Sequence, residues 1–208
     1  MVGVGASTLI SVKLGQKDYA TAKLIFGNVI TLTLILGLSF GLVCLLFLDP
    51  ILYFFGASEA TIPYARDYMS IILLGNVVTH SYLTLNSVLR SAGHPRSAMN
   101  ATIFTVIINT VMDPIFIYGF DMGIKGAAFA TVLAQVMALM WQISIFRNDK
   151  EMLHFQKGIY RLKRKIVEDT LAIGLSPFLM NSCACIVVII INRSLGLYGG
   201  DLAIGAYG

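Results

Sequence analysis

Apolar residues in this chain come in long unbroken runs rather than in alternation. Residues 24–48 carry no charge, residues 69–89 only His80, residues 97–120 only Asp113, and residues 126–146 and 170–192 none. About 20 apolar residues cross the hydrocarbon core of a bilayer. All five runs reach that length, so the pattern predicts five membrane-spanning helices. Residues 2–14 are mildly apolar and end in a charge, Lys13, which is the reverse of a secretory leader. They read as the tail of a helix, and a further helix is expected to open at Asp201.

Breakers separate the runs. Gly15 suits a left-handed helix terminus, Ser58 an N-cap ahead of Pro63, and Gly93-His94-Pro95 a stop. Gly123 and Gly126 flank a short turn at Lys125. Short connections make consecutive helices antiparallel neighbours. Gly37 and Gly41 form a small-xxx-small pair that lets another backbone approach. The fold class is therefore all-α, a polytopic transmembrane helix bundle.

Composition sharpens this picture. The chain is 57% hydrophobic and 12% charged, with mean hydropathy +0.79, against about 25% charged in a soluble domain. Placement of the basic residues then orients the bundle. Lys13, Lys17, Lys23, Arg90, Arg96 and seven more from Arg147 to Lys165 fall on one side; Arg66, Lys125 and Arg193 fall on the other. Twelve against three places the first side in the cytoplasm. The opposite loops carry Asp49, Glu59, Asp67, Asp121 and Asp201. No basic face interleaved with aromatics points to nucleic acid. Cys44, Cys183 and Cys185 lie in apolar runs and read as small packing residues.

One connection differs. Residues 148–169 are polar and basic, and Ile159, Leu162 and Ile166 recur between the charges at helical spacing. This predicts an amphipathic helix at the cytoplasmic interface, tethering two bundles.

The candidate chemistry centres on Asp113. A carboxylate inside a membrane span normally faces protein or a watery cavity and marks an ion or substrate path. Asn109, four residues earlier, shares its helix face. Pro114 has no N–H, so the carbonyl one turn earlier, on Thr110, loses its helical partner. Such oxygen-rich groups hold a proton or a hard cation. Thr131 in the next span falls at similar depth, and Gln135 and Ser144 are the other polar groups there. The span 64–89 is unusually polar: Tyr68, Asn76, His80 and Ser87 form one lane, and Thr79, Tyr82 and Asn86 another. Such lanes join helices by hydrogen bonds or line a cavity. No nucleophile–base pair, metal cluster or phosphate-binding glycine loop stands out, so the sequence does not read as an enzyme and calls for no cofactor beyond a coupling ion.

Several stretches carry a family likeness. They are residues 11–15 followed by Ala22, Asp49-Pro50 through residues 55–58, residues 63–68, Arg90-Ser-Ala-Gly93 with Pro95, residues 109–117, and residues 122–131. On these the chain resembles the multidrug and toxin extrusion (MATE) transporters, especially their DinF-like bacterial branch. The resemblance implies a twelve-helix fold in two lobes, in which this chain would lack helix 1. Residues 1–147 would be the rest of the first lobe, with partial helix 2 and helices 3–6. Residues 148–169 would be the cytoplasmic link between lobes, and residues 170–208 helix 7 with the beginning of helix 8. It implies a multi-pass protein of the bacterial inner membrane that uses Na⁺ or H⁺ to expel drugs or organic cations. It implies a cation site at Asn109, Asp113 and Thr131 with Tyr68 nearby, and Asn86 as a looser match. His80 and Asn76 are further candidates for lining the cavity. The family's helix 1 aspartate has no counterpart here. Two alternatives stand beside this reading: a lipid-linked glycan flippase of the same superfamily, which needs several basic residues facing its cavity, and a non-transporting remnant.

Overall fold

The computed structural model describes residues 1–148, 151–156 and 158–207. Among them the regular structure is helical throughout. The elements are α1 (Val2–Gly15), α2 (Tyr19–Leu46), α3 (Leu48–Phe54), α4 (Ile62–Leu74), α5 (Asn76–Ser91), α6 (Pro95–Pro114), α7 (Ile124–Phe146) and α8 (Arg164–Tyr207). A π turn, Ile115–Gly119, follows α6. Among the described residues, four helices are long and apolar enough to cross a membrane by themselves. Their outward faces stay apolar, as at Leu38, Leu42, Val106 and Ile107.

The fifth expected span is broken. α4 and α5 meet at an angle of 56° across Gly75. Sterics account for the glycine, because a Cβ there would lie 2.6 Å from Val132 of α7. Asn76, just past the break, donates to the Gly37 carbonyl of α2 at 2.8 Å. Gly37 and Gly41 are both buried against this elbow, as the small-xxx-small pair predicts. α7 packs by the same means, with Ala130, Ala134 and Ala138 buried one turn apart.

The helix expected across the linker forms only at its end, where residues 164–169 open α8. Residues 151–156 and 158–163 are irregular, and Gly158 has a φ of +93°. Tertiary bonds claim the backbone groups that a helix would need. Asn28 of α2 donates to the Ile159 carbonyl at 3.3 Å and accepts the Lys163 N–H at 2.6 Å. Thr31 donates to the Tyr160 carbonyl at 3.0 Å. Leu153 and Ile159 are buried in the inner core with Phe26 and Phe146, whereas Leu162 faces out. Lys150 and Lys157 lie outside the described residues.

Three smaller expectations also change. Lys17, not Gly15, takes the left-handed conformation, with φ +59°. The Lys17 and Asp18 N–H groups close α1 on the Leu14 and Lys13 carbonyls, so the reversal falls two residues later. The break expected before Asp201 is also missing, and α8 runs on as one helix to Tyr207. α8 packs chiefly on α1 and α2. The N-cap of α4 falls at Thr61 rather than Ser58; the Ser58 hydroxyl accepts the Thr61 N–H at 3.3 Å in the turn before it.

The bundle has two distinct ends. Arg66 forms a two-pronged pair with Asp49, at 2.9 and 2.5 Å, and Lys125 lies 3.3 Å from Asp67. The Arg193 guanidinium stands 5.2 Å from the centre of the Phe54 ring. These are the three basic residues that the charge pattern assigns to the outer side. At the other end lie the Lys13–Asp18 and His94–Glu151 pairs and the clasped linker. With the native cysteines replaced, single Glu59→Cys and Lys163→Cys variants test the orientation. A membrane-impermeant thiol reagent on intact cells is expected to label the first and spare the second. Labelling at position 163 alone would reverse the topology.

Candidate functional site

Pro114 and two glycines build the site. Pro114 ends regular α-helical bonding, and the chain widens into the π turn, closed by the Phe120 N–H on the Ile115 carbonyl at 3.0 Å. π turns of this kind often mark functional positions in helices. Gly123 turns the chain with φ +55°, and Gly126 presses against the π turn, where a Cβ would lie 2.7 Å from the Phe116 carbonyl. α7 therefore folds back along α6 at close range, and Thr131 comes opposite Asn109.

The Asn109 amide joins the three residues. Its Nδ2 donates to Asp113 Oδ1 at 3.0 Å and to Thr131 Oγ1 at 3.3 Å. Thr131 in turn donates to the Ala127 carbonyl at 3.0 Å, which leaves its oxygen as an acceptor. All three side chains are half-buried. Asp113 is the only charged residue between Ser97 and Phe120. A half-turn of the Asn109 carboxamide exchanges its nitrogen for its oxygen. Asp113, Asn109 and Thr131 then present three side-chain oxygens to one point, a donor set suited to a hard cation.

Other candidates fall elsewhere. Tyr68 is half-buried on α4, which packs on α7, but among the described residues it makes no hydrogen bond to these three. Asn86 is buried and binds α6 one level deeper, donating to the Ala98 carbonyl at 2.9 Å and to Thr102 at 3.4 Å. The seven residues from Thr102 to Asn109 span roughly 10 Å of helix. Asn76 is committed to Gly37. The His80 ring Nδ1 lies 3.1 Å from the Asn76 carbonyl; a carbonyl only accepts, so that nitrogen carries the proton.

Between α1, α2, α5 and α8 lies a cavity of about 780 Å³. His80, Asn86, Ser87 and Arg90 line it from α5, Leu36 and Phe40 from α2, and Phe178 from α8. The volume falls in the range for drug-sized ligands. Arg90, counted above with the cytoplasmic loops, faces this cavity. No sequence signal pointed there, because a position in the last turn of α5 reads as an ordinary interfacial arginine. Thr79 of α5 ties this wall to α7 through Gln135 Oε1 at 2.5 Å, one turn from Thr131.

Several helices long and apolar enough to span a bilayer, packed side by side, are the architecture of a polytopic membrane protein. The MatE family model matches residues 1–115, and the chain belongs to that family. It is 30% identical over 208 residues to the multidrug export protein MepA of Staphylococcus aureus strain MRSA252, covering 100% of this chain and 46% of that protein. It superposes with a TM-score of 0.93 on a multidrug resistance MATE family transporter in an inward-facing conformation, at 26% identity, over 99% of this chain and 47% of the other. The MATE multidrug transporter DinF-BH, solved in complex with a drug-like dye, gives 0.91 at 32% identity, over 100% of this chain and 46% of the other. The chain thus spans about half the length of the relatives it matches. As a member of a transporter family it is not an enzyme.

Proposed function

We propose that this chain forms part of a secondary active efflux transporter that exchanges Na⁺ or H⁺ for amphipathic small molecules. The observation that carries this reading is the Asn109 amide bridging Asp113 and Thr131 in a stretch, residues 97–120, with no other charged residue. A bare carboxylate there is charged, and one holding a proton or a monovalent cation is neutral. In a membrane interior that difference is large enough to bias a helix between two arrangements. Pro114 and the π turn give α6 a place to adjust next to the carboxylate. The tie between Thr79 and Gln135 links α7 to the cavity wall. The multidrug relatives, one of them in complex with a drug-like dye, support a small-molecule cargo. The same kinship supports residues 1–147 as first-lobe helices, the clasped segment as the link between lobes, and the bacterial inner membrane as location. A glycan flippase is less well served, since among the described lining residues Arg90 alone is charged.

The test is dye efflux from proteoliposomes holding the intact transporter. An imposed Na⁺ or proton gradient is expected to accelerate export, and collapsing that gradient with an ionophore to stop it. Export at one rate with and without either gradient would sink the antiport reading.

A further inference from the structure

The clasp on the linker also fixes its depth in the bilayer. Asn28 and Thr31 lie just beyond Lys23, the last charge before the apolar run of α2. Residues 24–46 make roughly 35 Å of helix, against a hydrocarbon core of about 30 Å, so the first residues of the run stand at the rim of the core. Asn28 binds the Ile159 carbonyl and the Lys163 N–H, which ties residues 159–163 to that level. α8 gives a second gauge. Its apolar run opens at Thr170, and the step back to Lys163 is roughly 10 Å of helical rise. From α2 the segment sits at the edge of the hydrocarbon, and from α8 just outside it. Both gauges put it among the lipid headgroups.

The side chains carried at that depth suit the position. Tyr160, Arg161, Leu162, Lys163, Arg164 and Lys165 follow one another and are all exposed. Ile159, just before them, is buried in the inner core and anchors the segment from below. Arg164 is bridged to Glu168 of its own helix at 2.6 Å, so the charge of the patch comes chiefly from Arg161, Lys163 and Lys165. Tyr160 and Leu162 stand between these charges and bring an aromatic and an aliphatic group to the interface, where such side chains meet the upper acyl chains. The backbone is already held by Asn28 and Thr31, so a ligand need not order it.

We propose that residues 160–165 form a seat for an anionic phospholipid of the cytoplasmic leaflet. Arg161, Lys163 and Lys165 take its phosphate and headgroup, and Tyr160 and Leu162 lie against its chains. A zwitterionic lipid carries its own ammonium beside the phosphate and gains less from the same three cations. The bound lipid adds to the clasp and helps to hold the linker on α2. The assignment rests on the linker lying on the cytoplasmic side, which the cysteine labels test separately, and is independent of the coupling ion.

The experiment reads lipid contact at the seat itself, in the intact transporter reconstituted in phosphatidylcholine with phosphatidylglycerol as the anionic probe. Tyr160→Trp places an indole there and spares the clasp, which uses the Tyr160 carbonyl. Brominated acyl chains, carried by one lipid at a time, quench that indole on contact, and the difference from the unsubstituted protein isolates its signal. Phosphatidylglycerol is expected to be preferred by about tenfold. A basic side chain near an anionic lipid surface is worth about fivefold. Arg161→Gln should therefore lower the preference by about that factor, and Lys163→Gln added to it should bring the two lipids near parity. Arg161→Lys combined with Lys163→Arg keeps both charges and should keep the preference, which separates lost charge from a damaged fold. Equal quenching by the two lipids before any charge is removed, a preference that survives both Gln substitutions, or an indole that neither lipid reaches overturns the proposal.

Discussion

Asp113→Asn is expected to reduce gradient-driven efflux to the level seen without a gradient, while the protein still folds and reaches the membrane. The substitution keeps the shape of the side chain. It also keeps an oxygen that can accept from Asn109, now 3.0 Å from the carboxylate. It removes the charge that a proton or cation would cancel, so ion binding no longer switches the site between a charged and a neutral state. Folding should survive, because a neutral amide costs less to place in an apolar surround than a carboxylate does. Asn109→Ala and Thr131→Ala each remove one neutral partner, and losses of about two- to tenfold follow from roughly 0.5–1.5 kcal/mol per hydrogen bond. The measurement is efflux in proteoliposomes under proton and sodium gradients, with membrane expression as the folding control. Wild-type rates from Asp113→Asn under both gradients would make the carboxylate structural.

The second large effect belongs to the clasp on the linker. Asn28→Ala leaves the Ile159 carbonyl and the Lys163 N–H without their side-chain partner. At about 1 kcal/mol for each bond the clasp loses about 2 kcal/mol, roughly thirtyfold in the equilibrium for local opening. Gly27→Val should act still more strongly, since even a Cβ at that position would lie 2.4 Å from the Ile159 carbonyl oxygen, and that neighbour is backbone. Limited trypsin digestion reads the opening as cleavage after Arg161, which is exposed. Cleavage is expected to accelerate about thirtyfold in Asn28→Ala, and further in Gly27→Val. Unchanged digestion in both variants would show that the aromatic contacts of Phe155 with Phe26 and Phe146 hold the segment alone.

The helical class, the spans and the two ends of the bundle were legible in the order of the residues. They follow from local quantities: run length against bilayer thickness, and the bias of basic residues between loops. Asn109 and Asp113 were legible as a pair because helical spacing alone puts them on one face, and Thr131 followed once α6 and α7 were read as antiparallel neighbours. The rest came from packing. The 56° elbow at Gly75 depends on Val132 from another helix. The linker shows helical spacing, yet two side chains on α2 take its backbone groups, and a partner more than a hundred residues away leaves no local trace. Arg90 looked like one more cytoplasmic charge, until the packing of α1, α2, α5 and α8 framed a cavity with that side chain in its wall. Periodicity reports which face of a helix is apolar. Which other helix covers that face, and which polar group is then left looking inward, is settled only when all the helices pack together.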